Sequence, residues 1–487
     1  MICSRRIVGF VAALSFVPLI FTAQVTWDFP EPIDVADSDF GNRCPRLVLD
    51  ASGDPVVFMG KTNEGLFVVT SENGTFNPPA LVPTETDIFL SDAEGPDVAT
   101  WGNSVGLAYQ LSGQWATGAR FMRSDDGGST WSAPHPIAPN ATVDHFMPIP
   151  AFDDNGNPFV ALKLGSGDNA QEGVLRSSDG GETWGDAQLA SLEAGNGIAC
   201  ECCPSRTIYG NGRYHTLYRR NNNDTRDLWM VSSEDGVTWD QALDLDPTDW
   251  QISACPETGA SSEWLPNGHL ASVFMSAGEG SSKIYCNVSD PASNSNGLTV
   301  PLSTVQFDSP SQNQPDLAVG PNHTAVAWQQ NLSGLDIMLS IAANSSVPSG
   351  LTNVAINVSE GASGSNRHPD LAIHGNTLHL IWQNSASGTV KYLRGTLGDL
   401  SSTTALQNPD QPQLLRKGST SVELVNAMPS TPYLIFQTNG SVLYTGQTNV
   451  MGTATLPTRF VQSGSAIMLV QAQGKTAPTV LKLGGLK

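Results

Sequence analysis

The chain has 487 residues, of which 14% are Asp, Glu, Lys or Arg, and a formal net charge of -22. Nucleic acid and anionic membrane surfaces repel so acidic a chain, which argues against both as partners. With 47 Gly, 32 Pro and no long charged helical pattern, the composition predicts an all-β protein rich in turns.

Residues 1–23 place Arg5 and Arg6 before an apolar run from Ile7 to Phe21, followed by the small pair Thr22 and Ala23. That is the pattern of a secretory signal peptide, and its 15-residue run, interrupted by Pro18, is short of the roughly 20 residues a spanning helix needs. The expectation is a secreted or cell-surface protein, monomeric, with no membrane insertion.

From residue 24 to 402 one pattern recurs: a proline, a short apolar stretch, a turn and a second apolar stretch. It is marked by Pro45, Pro96, Pro148, Pro204, Pro256, Pro315 and Pro369, at intervals of 51 to 59 residues. A second mark keeps the same phase. SDDGGSTW (124–131), SSDGGETW (177–184) and SSEDGVTW (232–239) begin 28 or 29 residues after the second, third and fourth of these prolines. Glycines that permit positive φ, a carboxylate for turn amides and a tryptophan folding back make each a hairpin tip.

A repeat of about 50 residues holding four short strands is a propeller blade. Seven blades are expected, with the first strand closing the last blade; six blades, or a β-sandwich array, are the alternatives. Residues 403–413, rich in Pro and Gln, read as a linker, and 414–487 as a small C-terminal β domain.

The residues before the seven prolines are Cys44, Gly95, Met147, Cys203, Cys255, Gln314 and His368, expected to ring one mouth of the channel. Cys200, Cys203, Cys255 and His368 are the candidate ligands for copper or zinc, since thiolate and imidazole suit soft or borderline cations. Disulfides are the competing expectation, because six cysteines remain in an oxidising compartment once Cys3 leaves with the signal. Redox-active thiols are a third.

The S-x-D-x-G-x-T-W hairpins resemble the Asp-box, or BNR, repeats of the sialidase superfamily, and NRCPRLVLD resembles the Arg-Ile-Pro stretch that opens many sialidase propellers. The resemblance implies that Arg43, with Arg219 or Arg220 and with Arg367, grips a sugar carboxylate. It further implies a Tyr392 nucleophile activated by Glu257 or Glu263, and an acid among the positional candidates Asp87 and Asp92. Such sets act by bidentate carboxylate binding and general acid–base chemistry. The chain departs from that pattern in counting seven blades where sialidases have six, and in carrying Met275 and Ser276 where a second arginine would fall.

CECCP (200–204), YRRNNNDTRDLWM (218–230), ACPETG (254–259) and NRHPDL (366–371) resemble secreted sialidase-like propellers of a Cys-Cys-Pro type. The tail resembles C-terminal sorting domains of Gram-negative bacteria. The implied function is glycan binding, and on the catalytic reading hydrolysis, at the axial mouth; a soft-metal or redox propeller and a non-catalytic adhesive protein are the alternatives.

Overall fold

A computed structural model describes residues 25–398, except 38–42, 73, 86, 92–93, 196, 303–310, 333 and 353–354, and the strands that lie between 413 and 482. The expected signal peptide, residues 403–412 of the linker and Asp92 lie outside the described residues.

Seven antiparallel sheets follow one another along the chain, and each innermost strand touches the next. The inner strands are Arg43–Leu49, Asp97–Trp101, His145–Phe152, Arg206–Gly210, Ala260–Trp264, Gln312–Val319 and Asn366–His374, which define blades 1 to 7. The last contacts the first, closing a seven-bladed propeller. Closure is reinforced at the rim, where Val25–Trp27 pairs with Thr389–Leu397 and so becomes the outer strand of blade 7. The two ends of the ring are thereby held by about one ladder of hydrogen bonds and cannot separate without losing them.

The second strand of each blade has neighbours on both faces, because adjacent blades stack on it. Ser104–Gln110, Pro158–Leu164 and Leu270–Ser276 are accordingly buried at every position. The core is therefore a set of seams. Phe58 and Val68 of blade 1 pack on Leu107, Tyr109 and Met122 of blade 2, and Leu47, Val57 and Met59 of blade 1 pack on Ile381 and Tyr392 of blade 7. Burying one such side chain contributes about 1.5–3 kcal/mol.

The three Asp boxes are the expected turns. Asp126 Oδ1 accepts from the Thr130 amide (2.7 Å) and the Ser124 hydroxyl (2.8 Å), and the Trp131 indole N–H donates to the Gly128 carbonyl (3.0 Å). Asp179 and Asp235 accept in the same way from the Thr183 and Thr238 amides. These carboxylates are consumed by their own turns, in agreement with a structural role.

Residues 401–487 form a second contact unit. Its described strands make a three-stranded sheet (Gln413–Lys417, Ser421–Val425, Ala454–Leu456) and a four-stranded one (Val442–Gln447, Pro432–Gln437, Ala466–Gln471, Pro478–Lys482). Among the described residues no helix is long and apolar enough to cross a membrane.

Candidate functional site

In blades 1, 3, 6 and 7 the inner strand opens with a β-bulge at the proline. The preceding residue takes a left-handed conformation: Cys44, Met147, Gln314 and His368 have φ of 48°, 56°, 50° and 49°. Non-glycine residues seldom hold this region, and bulges use it to re-aim a strand end. In blade 5 the left-handed residue is Glu257 (φ 49°), two positions beyond the expected Cys255, so Glu257 takes that place in the ring.

Cys44 is a buried thiol, with Sγ 3.1 Å from each of the Ser91 and Glu94 carbonyl oxygens, to which it donates. It approaches so closely that a Cβ on residue 95 would fall 2.5 Å from its sulfur, which explains Gly95. The loop so tied presents Glu94. Phe89, Trp115, Phe146 and Met147 line a small recess beside it, together with Gln110. Trp115 is 39% exposed, and its ring meets Phe89 edge to face with centroids 5.2 Å apart. Burial, and then repulsion from Glu257, push the Glu94 carboxyl up to about 7.

Behind this mouth runs an axial channel of about 540 Å³. Its charged lining includes Arg46, Asp97, Arg206, Glu263, Asp316 and Asp370. Arg46 Nε donates to Asp97 at 2.9 Å, and Arg206 lies 3.6 Å from Glu263. Both channel arginines are thus matched to carboxylates, and the balance is acidic.

The arginines expected to converge are spread over blades 1, 4 and 7. Arg43 and Arg367 occupy equivalent positions before the bulges of blades 1 and 7, while Arg220 belongs to blade 4, across the ring, with its guanidinium 5.2 Å over the Trp229 ring. Arg219 is fully buried, donating to the carbonyls of Arg226 (2.5 Å) and Met275 (2.8 Å). None of the four lines the channel.

Tyr392 departs furthest from expectation. It sits on the third strand of blade 7, fully buried against Phe76, with Oη 2.8 Å from His379 Nδ1. Burial raises its pKa, and no substrate reaches it there. Glu257 is at the mouth but on the wrong element to activate that tyrosine, and Asp87 is exposed.

The expected metal set is also divided. Cys255 is bonded to Cys202, and His368 belongs to blade 7. What does assemble is a sulfur cluster between blades 4 and 5. Cys200 Sγ lies 3.2 Å from Cys203 Sγ and 3.5 Å from Cys202 Sγ. The Arg226 guanidinium donates to Cys200 Sγ at 2.9 Å. The Cys203 hydrogen bond, and next the positive charge of Arg226, hold the Cys200 thiol down to about 6, while burial pushes Cys203 well up. Cys286 is buried alone, with its thiol pushed up to about 12 by burial.

Sequence reasoning passed over Glu94, Trp115 and Arg226. Glu94 had a usable signal, as the neighbour of the ring residue Gly95, and Arg226 lay within the YRRNNNDTRDLWM stretch without being given a role; Trp115 lies in an irregular loop where no period points to it.

Fold and hairpins together define a seven-bladed Asp-box propeller of the sialidase superfamily. The chain belongs to the BNR repeat-like domain family, whose model matches residues 55–319. No curated protein matches it. Similar solved structures include a protein of unknown function from Dyadobacter fermentans (13% identity, 77% of this chain and 99% of that one covered, TM-score 0.46). Others are a Hadza microbial sialidase (15%, 75% and 68%, 0.41) and a polysaccharide lyase described as an ulvan lyase (12%, 75% and 96%, 0.47).

Proposed function

We propose that this propeller is a secreted or cell-surface glycan-recognition protein whose site is the channel mouth between blades 2 and 3. The observation that carries this reading is the half-exposed Trp115 beside Phe89 and a protonatable Glu94. An aromatic face covers the apolar side of a sugar ring, and a carboxyl group meets its hydroxyls. The engagement of both channel arginines favours a neutral glycan over a sialic acid, because a sugar carboxylate would have to displace Asp97 or Glu263.

The test is titration of the full chain with panels of neutral and acidic oligosaccharides, repeated with Trp115→Ala. Binding of neutral glycans that the substitution weakens about tenfold, a loss of about 1.4 kcal/mol, supports the reading. No binding to any panel, or binding indifferent to Trp115, defeats it. The same panels report any hydrolysis. The C-terminal unit, as a sorting module, is part of this proposal for a surface location.

A further inference from the structure

Four of the six cysteines outside the signal region meet at one place, and their environments differ in a graded way. Cys200 and Cys203 are fully buried thiols on the turn that enters blade 4. Cys202, half-buried on the same turn, is bonded to Cys255, which is exposed on the segment entering blade 5. The turn is pinned by backbone: the Cys200 amide donates to the Arg219 carbonyl at 2.7 Å. Arg226 is pinned as well, its Nε donating to the Ile252 carbonyl at 3.0 Å while Nη1 reaches Cys200 Sγ. A guanidinium fixed on a buried sulfur is an arrangement for stabilising thiolate, which is the form that attacks disulfides.

We propose that Cys200, Cys203 and the Cys202–Cys255 disulfide form a thiol–disulfide exchange centre, with Cys200 as the attacking sulfur and Cys255 as the end that faces a thiol or disulfide of another molecule. The sulfurs of Cys200, Cys202 and Cys203 lie within 4.8 Å of one another and Cys202 is bonded to Cys255, so each exchange has its partner in reach. Cys200 Sγ is 3.5 Å from Cys202 Sγ, close to van der Waals contact. Its attack forms a Cys200–Cys202 bond and breaks Cys202–Cys255, and the electron pair leaves on Cys255, which takes a proton from solvent. Cys203, 3.2 Å from Cys200, then loses its proton and attacks Cys200. That forms Cys200–Cys203 and releases Cys202, which takes up a proton. The net change oxidises one dithiol and reduces one disulfide by two electrons within the chain, so no outside oxidant is needed. This inference uses other residues than the glycan reading and stands or falls separately from it.

The test is acid quenching and alkylation of the full chain, purified without reductant and incubated in glutathione buffers, followed by peptide mapping. Two interconverting forms are expected, one with Cys202–Cys255 and one with Cys200 in a disulfide. In Cys200→Ser only Cys202–Cys255 should appear, and its opening by glutathione should slow about tenfold, whereas Cys203→Ser should accumulate Cys200–Cys202. Cys44 and Cys286, outside the cluster, should be recovered as thiols in both forms. On the wild-type chain, where no variant can misfold, the interconversion of the two forms should reach half its maximal rate near pH 6 rather than at about 8.5, the ordinary thiol range. A single, unchanging Cys202–Cys255 form overturns the proposal. So does a chain that carries one equivalent of zinc or copper with all four cysteines reduced, which would make the cluster a metal site.

Discussion

The carboxylate of Asp370 accepts a hydrogen bond from the backbone amide of Leu47, 3.1 Å away, across the seam where the last blade meets the first. The device repeats around the axis: Asp316 accepts from the Leu371 amide at 2.8 Å, and the Ser261 hydroxyl accepts from the Leu317 amide at 3.2 Å. Inner strands of neighbouring blades are too splayed for a shared ladder, so single side-chain acceptors satisfy the amides that a ladder would have used.

Replacing Asp370 by Ala should leave the Leu47 amide without its acceptor and cost about 1–3 kcal/mol, read as a lower melting temperature. Burial, and next the charge of Asp316, raise the Asp370 pKa well above the usual carboxylate range. Its contribution is therefore complete below the unfolded value, near pH 3.8, and is lost as pH rises through the folded value. Asp370→Asn keeps an acceptor without the charge, and its melting temperature should fall less than that of wild type as pH rises above the unfolded carboxyl value near 3.8.

The Asp boxes have the opposite sign. Amide hydrogen bonds from Thr238 and Val237 lower the Asp235 pKa to about 2, so its support for the hairpin is present above pH 3.8 and lost as pH falls towards 2. Hydrogen exchange should show the Val237 and Thr238 amides protected at pH 5 and released near pH 2, and Asp235→Ala should release them at both. Equal exchange in the variant and wild type at pH 5 would contradict this account.

Tyr392→Phe separates a core role from a catalytic one. Loss of the Oη contact to His379 should lower stability by about 0.5–1.5 kcal/mol and leave glycan binding or turnover unchanged. A collapse of activity with unchanged melting would restore the tyrosine to a nucleophilic role.

Glu94 titrates near 7, so its carboxyl is protonated below that pH and offers a donor. Affinity for a neutral glycan should decline as pH rises from 6 to about 8, while Glu94→Gln, which keeps a donor at every pH, should bind with a level profile. Isothermal titration at four pH values distinguishes the two.

Much of this protein was written into local sequence. The spacing of the prolines and Asp boxes predicted seven blades, because each blade is a short-range meander whose turns are satisfied by their own side chains. The expected closing of the last blade by the first strand is also found, at Val25–Trp27. Local pattern failed where a contact joins blades. Counting prolines put Cys255 in the ring, yet Cys255 is bonded to Cys202, and Glu257 takes the left-handed position.

The sequence by itself therefore determined the architecture and the turns, since these rest on hydrogen bonds and alternation spanning a few residues. Only the tertiary structure decided which polar groups meet. Packing between blades buried Tyr392, matched Arg46 with Asp97, set Trp115 beside Phe89 and Glu94, and brought Cys200 within 3.5 Å of Cys202 with Arg226 against it. Burial and charge at those meetings, rather than residue type, set the reactivity of each group.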